Sequence, residues 1–129
     1  MCIFCEIIAG NIPSAKVYED DDVIAILDIS QATKGHTLVI PKKHYETILD
    51  MPQEEFAELM KTAQLLAKKI VSSLDASGCN ILINTDEAAG QTVKHAHVHI
   101  IPRYSPDDDI IIQFNEHKLD LEEIRNLIG

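Results

Sequence analysis

Gly90-Gln91-Thr92-Val93-Lys94-His95-Ala96-His97-Val98-His99-Ile100-Ile101 is the stretch whose reading decides the rest of the chain. Residues two apart on a strand share a face. A strand over 93–101, stopped by Pro102, sets His95, His97 and His99 on one side, roughly 6.6 Å apart in succession. It sets Ala96, Val98 and Ile100 on the other side, towards a core. A single histidine on a strand is ordinarily a satisfied side chain. Three in register are costly as core and point to chemistry. On the residues alone two readings stay open. Histidines two apart can share a metal, or one imidazole can act as a nucleophile while its neighbours hold the reacting group. Just upstream, Gly90 permits close approach of the backbone, and Gln91 and Thr92 offer short donors. Such a group suits a phosphate.

Working outward, short runs of strand-forming residues bounded by turn residues predict strands over 15–18, 23–29, 37–40 and 79–84, with Pro41 ending the third. A short helix over 2–9 ends at Gly10, with Pro13 beyond it. Phe56, Leu59, Met60, Ala63, Leu66, Ala67, Ile70, Val71 and Leu74 follow helical spacing. A helix over 52–74 would be about 34 Å long. Asp50 is placed as its cap and Pro52 in its first turn. Residues 85–90 read as a loop and 120–128 as a short terminal helix. Strands, one long helix and strands again predict an α+β chain with a mostly antiparallel sheet.

The chain has 129 residues, 46% hydrophobic and 25% charged, an ordinary balance for one globular domain. Eleven basic against 21 acidic residues leave a net charge of −10. That excludes a broad electrostatic footprint for nucleic acid or for an anionic membrane surface. No apolar run approaches a membrane span. The N-terminus lacks the basic start and apolar stretch of a signal peptide, so a cytoplasmic location is expected. The acidic runs at 19–22 and 107–109 read as solvated turns. Three cysteines without an export signal argue against a disulfide framework. Cys2 and Cys5, with two residues between them, read as half of a zinc site that needs two further ligands. Cys79 reads as a small buried apolar residue, and His117 as surface.

His95-Ala96-His97-Val98-His99-Ile100-Ile101 resembles the signature of the histidine triad (HIT) family. Further blocks resemble the family in the same order: Phe4-Cys5-Glu6-Ile7-Ile8, Ala25-Ile26-Leu27-Asp28-Ile29-Ser30, Gly35-His36-Thr37-Leu38-Val39-Ile40-Pro41-Lys42-Lys43-His44 and Ala89-Gly90-Gln91-Thr92. The resemblance runs over about 2–103 of a single HIT domain and leaves 104–129 as a C-terminal extension. It implies a five-stranded antiparallel sheet with one long and one short helix, paired as a two-fold homodimer. Most of the length resembles the Hint-like branch of nucleoside phosphoramidate hydrolases. Residues 87–103 also resemble the Fhit branch, which cleaves dinucleoside polyphosphates.

The resemblance also implies roles. His97 would be the nucleophile that attacks the α-phosphate of a purine nucleotide derivative and forms a nucleotidyl-histidine. His99 would donate to the phosphoryl or leaving group, and His36 would orient the others. Gly90, Gln91 and Thr92 would line the phosphate, and Asn84 would touch phosphate or sugar. Asp28 and Ile29 would meet the nucleoside, with Phe4, Ile7 and Ile26 as apolar walls for the base. In a subset of the family the cysteine pair is completed by two histidines, here His44 and His95. The implied cofactor is then a structural zinc on Cys2, Cys5, His44 and His95. A nucleotide- and zinc-binding module with little catalysis is the alternative of another class.

Overall fold

Val23–Leu27 and Thr37–Pro41 are buried almost throughout, so the sheet that contains them must be covered on both faces. The computed structural model describes residues 1–129 and shows how. Five strands, β1 (Lys16–Glu19), β2 (Val23–Leu27), β3 (Thr37–Pro41), β4 (Gly78–Leu82) and β5 (Val98–Arg103), form one sheet in the order β1-β2-β3-β5-β4. Every neighbouring pair is antiparallel. Helix α2 (Gln53–Ser73) covers one face, where Leu59, Ala63, Leu66, Ala67 and Ile70 pack on Val23, Ala25, Val39, Val98 and Ile100. Helix α1 (Ile3–Ile8) covers the other, with Phe4 against Ile24, Ile26, Leu38 and Ile40. Alternate residues of each central strand therefore feed two separate clusters, as a period of two requires. No helix is long and apolar enough to cross a membrane.

Several boundaries differ from the sequence reading, each for a physical reason. The histidine strand does not begin at residue 93, because pairing with β3 starts at Val39↔Val98. Continuing that register would set Pro41 opposite Ala96, and proline has no N–H to give to a ladder. The chain over 93–97 turns instead, with the His95 N–H on the Val93 carbonyl at 2.9 Å and the Ala96 N–H on the Tyr45 carbonyl at 2.7 Å. Only His99 of the triad lies on a strand. The alternation survives even so. Ala96, Val98 and Ile100 belong to the cluster under α2, and the rings of His95 and His97 lie on the α1 side against Phe4. Nor does Pro102 stop the strand. Beyond Ile100, β5 pairs with β4 alone, and proline is tolerated on such an edge.

Strand β2 ends at Leu27, so Ile29 stands out of the sheet and is 99% exposed. Strand β4 ends at Leu82, two residues short of Asn84. Asp50 does not cap α2. It closes a capping box with Thr47 around the 3-10 turn Ile48–Asp50, and Pro52 takes the cap position of α2 without a side-chain bond. The loop over 85–90 contains a 3-10 turn, Glu87–Ala89, which ends at Gly90 in the left-handed region with φ 95°. Cys79 is half-buried against the α2 cluster. A terminal helix α3 (Leu121–Ile128) forms as expected, capped by Asp120, but buries none of its residues.

Candidate functional site

Four histidines meet on the α1 side of the sheet, where the start of β3 lies beside β5. Their hydrogen bonds settle which nitrogen carries each proton. His97 Nδ1 lies 2.7 Å from the His95 carbonyl, an atom that can only accept. Nδ1 is therefore the protonated nitrogen, and Nε2 keeps its lone pair. The Ala32 N–H donates to His36 Nδ1 at 3.1 Å, so the His36 proton is on Nε2. His36 Nε2 then donates to His99 Nδ1 at 2.9 Å. His99 in turn carries its own proton on Nε2. The result is an acceptor nitrogen on His97 next to a donor nitrogen on His99, with the two ring centroids 4.9 Å apart.

Electrostatics keep this order in the neutral form. Burial lowers the His97 pKa below the usual imidazole value, opposed by its bond to the His95 carbonyl and by the Asp28 charge. Burial also lowers His36, again opposed by Asp28. His99 is pushed down to about 4, first by burial and then by its neighbours His97 and His36. Near neutral pH the set offers one free nucleophilic nitrogen and one N–H donor, the pair that attack on phosphorus requires. Asp28, expected to meet a nucleoside, has Oδ2 3.6 Å from His36 Nε2, while its Oδ1 accepts from the Ser30 N–H at 2.8 Å. Asp28, His36 and His99 also bring ligand atoms within 4.8 Å of one another. A metal on His36 Nε2 would put the ring proton on Nδ1, facing the Ala32 N–H. Two donors would then meet, so the group reads as a hydrogen-bonded relay and not as a metal centre.

A second cluster lies at the start of α1. Cys2 Sγ, Cys5 Sγ, His44 Nδ1 and His95 Nδ1 all fall within 4.8 Å of one another. Cys2 to His95 is 3.4 Å, Cys5 to His44 3.3 Å, Cys5 to His95 3.6 Å and His44 to His95 3.1 Å. Metal–nitrogen bonds of about 2.0–2.1 Å and metal–sulfur bonds of about 2.3 Å give a tetrahedron with edges of about 3.3–3.8 Å. His95 Nε2 donates to the Pro41 carbonyl at 2.7 Å, so the Nδ1 lone pair faces the cluster. Orientation of a ligating imidazole by a carbonyl on its far nitrogen is the usual arrangement at metal sites. The donor set fits a four-coordinate ion. It also ties the two ends of the site together, since Phe4, between the cysteines, packs edge-on to His95 at 5.9 Å and to His97 at 5.0 Å.

The remaining expected residues fall into distinct places. Phe4 and Ile26 are buried together, with Ile7 half-buried against them. Thr92 is exposed and shares a shallow hollow of about 620 Å³ with Cys2, Ile3 and His44, beside the cysteine cluster. Asn84 is half-buried past the end of β4, and Gly90 is exposed. Gln91 is buried, and both its amide hydrogens are taken, by the carbonyls of Glu46 at 2.6 Å and Val93 at 3.0 Å. Its Oε1 accepts from the Asp86 N–H at 2.8 Å. That side chain therefore braces the 86–93 loop against the 46 region and has no donor left for a phosphate.

Sequence reasoning did not reach the groups that order the histidines. These are the carbonyls of Pro41, Tyr45 and His95 and the amide of Ala32. Backbone atoms leave no mark in a residue pattern. Only Pro41 carried a signal, as a strand end.

The HIT domain profile matches residues 9–106. The crystal structure of a Streptococcus mutans UA159 protein is 50% identical, with a TM-score of 0.91, over 98% of this chain and 80% of that one. A zinc-bound histidine triad family protein from Mycobacterium smegmatis is 40% identical, with a TM-score of 0.81, over 98% of this chain and 89% of that one. An adenylylsulfatase of Arabidopsis thaliana, HINT3, is 42% identical over 106 residues. Those residues are 82% of this chain and 54% of that relative.

Proposed function

Since the chain belongs to the HIT family, we propose that it is a nucleotide hydrolase or transferase acting at the α-phosphate of purine nucleotide derivatives. The substrates are of the nucleoside phosphoramidate or adenylate type. The observation that carries this reading is the bond from His97 Nδ1–H to the His95 carbonyl at 2.7 Å, which leaves Nε2 as a free nucleophile. The Arabidopsis relative named as an adenylylsulfatase supports the same chemical class.

In the first step His97 Nε2 bonds to the α-phosphorus and the bond to the leaving group breaks. His99 Nε2–H donates a hydrogen bond to the leaving group, which departs with a proton taken from solvent. The ring of His97 becomes cationic and shares that charge with the His95 carbonyl. In the second step the oxygen of water bonds to phosphorus, the N–P bond breaks, and the proton that water gives up passes to solvent. The nucleoside monophosphate leaves and the His97 ring is neutral again. His36 holds His99 in the tautomer that can donate. Asp28 and Ile29 meet the nucleoside, Phe4, Ile7 and Ile26 the base, Asn84 the sugar or phosphate, and Gly90 and Thr92 the phosphate, with Gln91 holding their loop.

The cysteine–histidine cluster holds zinc on Cys2, Cys5, His44 and His95. Two thiolates and two imidazoles suit that ion, and the Mycobacterium smegmatis relative is zinc-bound. With all four ligands supplied by protein, such an ion would be structural, and Cys2, Cys5, His44 and His95 would hold α1 and Phe4 against the histidines. The working unit is one HIT domain with a C-terminal segment over 104–129, placed in the cytoplasm, where Cys2 and Cys5 stay reduced. It pairs as a two-fold dimer. Supporting the dimer, the C-terminal segment exposes Ile111, Phe114, Leu119, Leu121, Leu127 and Ile128. Ala57, Met60, Val71 and Ile81 also line an open groove of about 730 Å³ between α2 and β4. Light scattering should return twice the 14.4 kDa chain mass.

The test of function is release of AMP from adenosine phosphoramidate, adenylyl sulfate and a diadenosine polyphosphate, compared in parallel. The expected order places the first two well above the third. Fastest turnover of the polyphosphate would move the protein to the Fhit-type activity. No turnover of any by the wild-type chain would leave a binding module.

A further inference from the structure

The loop from Asp28 to His36 leaves β2 and returns into β3, closed by the Asp28 N–H on the His36 carbonyl at 2.9 Å. One side chain spans its interior. Gln31 Oε1 accepts from the Gly35 N–H at 2.8 Å and from the His36 N–H at 3.1 Å. Gln31 Nε2 donates to the Asp28 carbonyl at 2.6 Å and to the His36 carbonyl at 2.8 Å. A carboxamide has two hydrogens and two acceptor lone pairs. All four are used, and every one goes to Asp28, Gly35 or His36. Gln31 itself is exposed.

We propose that Gln31 is a positioning residue, whose carboxamide holds the His36 backbone so that His36 Nε2–H stays aimed at His99 Nδ1. The inference deepens the catalytic reading and rests on it. His36 is gripped at both backbone ends by Gln31, and the next residue, Ala32, gives its N–H to His36 Nδ1. One clamp therefore sets the ring's place and its tautomer together. A hydrogen bond between two rings weakens steeply once its angle falls below about 120°. When His36 swings away, His99 is free to carry its proton on Nδ1. Its Nε2 then presents a lone pair to the leaving group and has nothing to donate.

The experiment compares the full-length wild type with Gln31→Met and Gln31→Glu. The methionine keeps the length of the side chain and removes all four bonds. The glutamate keeps the acceptor used by Gly35 and His36 and loses both donors. Nitrogen-15 spectra of the histidine rings at neutral pH should show His99 protonated on Nε2 alone in the wild type. A mixture of tautomers should appear in Gln31→Met, with a lesser mixture in Gln31→Glu. With adenosine phosphoramidate, kcat should fall on the order of 10–100-fold in Gln31→Met, as a small misplacement of a catalytic ring can cause, with KM unchanged. A Gln31→Met protein with wild-type ring spectra overturns the inference, whether kcat is kept or falls only in step with melting temperature. If Gln31→Met does not fold, Gln31→Glu is judged by the same criteria. A wild type without hydrolytic activity removes the catalytic reading, and the ring spectra still decide whether Gln31 sets the tautomer.

Discussion

Gly35→Ala should unfold the protein more easily and should do so for two separable reasons. Gly35 has φ +93°, in the left-handed region. An alanine there costs about 1–2 kcal/mol of backbone strain. Its Cβ would also lie 2.3 Å from Leu74 Cδ1, 3.2 Å from Pro102 Cγ and 3.7 Å from Ile70 Cγ2. Relieving an overlap of that kind costs about 1–3 kcal/mol. The sum is about 2–5 kcal/mol, with the low end reached if the Leu74 side chain can swing aside. A chain of this length loses about 3–4 °C of melting temperature per kcal/mol, which gives a fall of about 6–20 °C. Gly10→Ala is the matched control. It has φ +83° and nothing within 4 Å of an added Cβ, so only the backbone cost remains. Adding Leu74→Ala to Gly35→Ala should recover part of the packing loss, so the two changes should not be additive. Calorimetry of these variants decides the matter. If Gly35→Ala melts with Gly10→Ala, the close approach of the β2–β3 loop to α2 and β5 is wrong. If both melt with the wild type, the positive φ values carry no strain.

His97→Ala should abolish release of AMP and leave the fold and zinc content unchanged, since it removes the free nucleophile and no ligand. His99→Ala should slow turnover by about 10²–10³, the effect of one lost transition-state donor, measured with saturating adenosine phosphoramidate. Cys2→Ala, Cys5→Ala, His44→Ala and His95→Ala should each lower bound zinc and melting temperature together, because metal binding is coupled to folding. Full zinc content in His95→Ala would exclude it from the ligand set. The His99 pKa lies near 4 in the fold, against an ordinary 6.5. Between those values the unfolded chain binds a proton that the folded chain refuses, so stability is lost as pH falls from about 6.5 towards 4. The loss from His99 is at most about 3 kcal/mol. Urea midpoints at pH 7 and pH 5 should separate more for the wild type than for His99→Gln, and equal separations would mean that His99 is not depressed.

The sequence by itself determined the parts that repeat along the chain or depend on near neighbours. Continuous apolar runs over β2 and β3, alternation along the histidine strand and helical spacing over α2 fix a sheet covered by a long helix, because each pattern dictates which side chains are buried. The row His95, His97 and His99 and the pair Cys2 and Cys5 stood out for the same reason, as costly residue types in local register. Contacts across the chain were decided only in the tertiary structure. Pro41 ends the ladder that would have carried a strand back to residue 93, so His95 and His97 sit on a turn. That turn points the His95 carbonyl at His97 Nδ1, and the Pro41 carbonyl turns His95 towards the cysteines, 90 and 93 residues away in sequence. The proton order of His36 and His99 follows from an amide at residue 32. A residue's type tells which atoms can donate or accept, but the nitrogen that keeps its lone pair is chosen by the partner that folding places beside the other one.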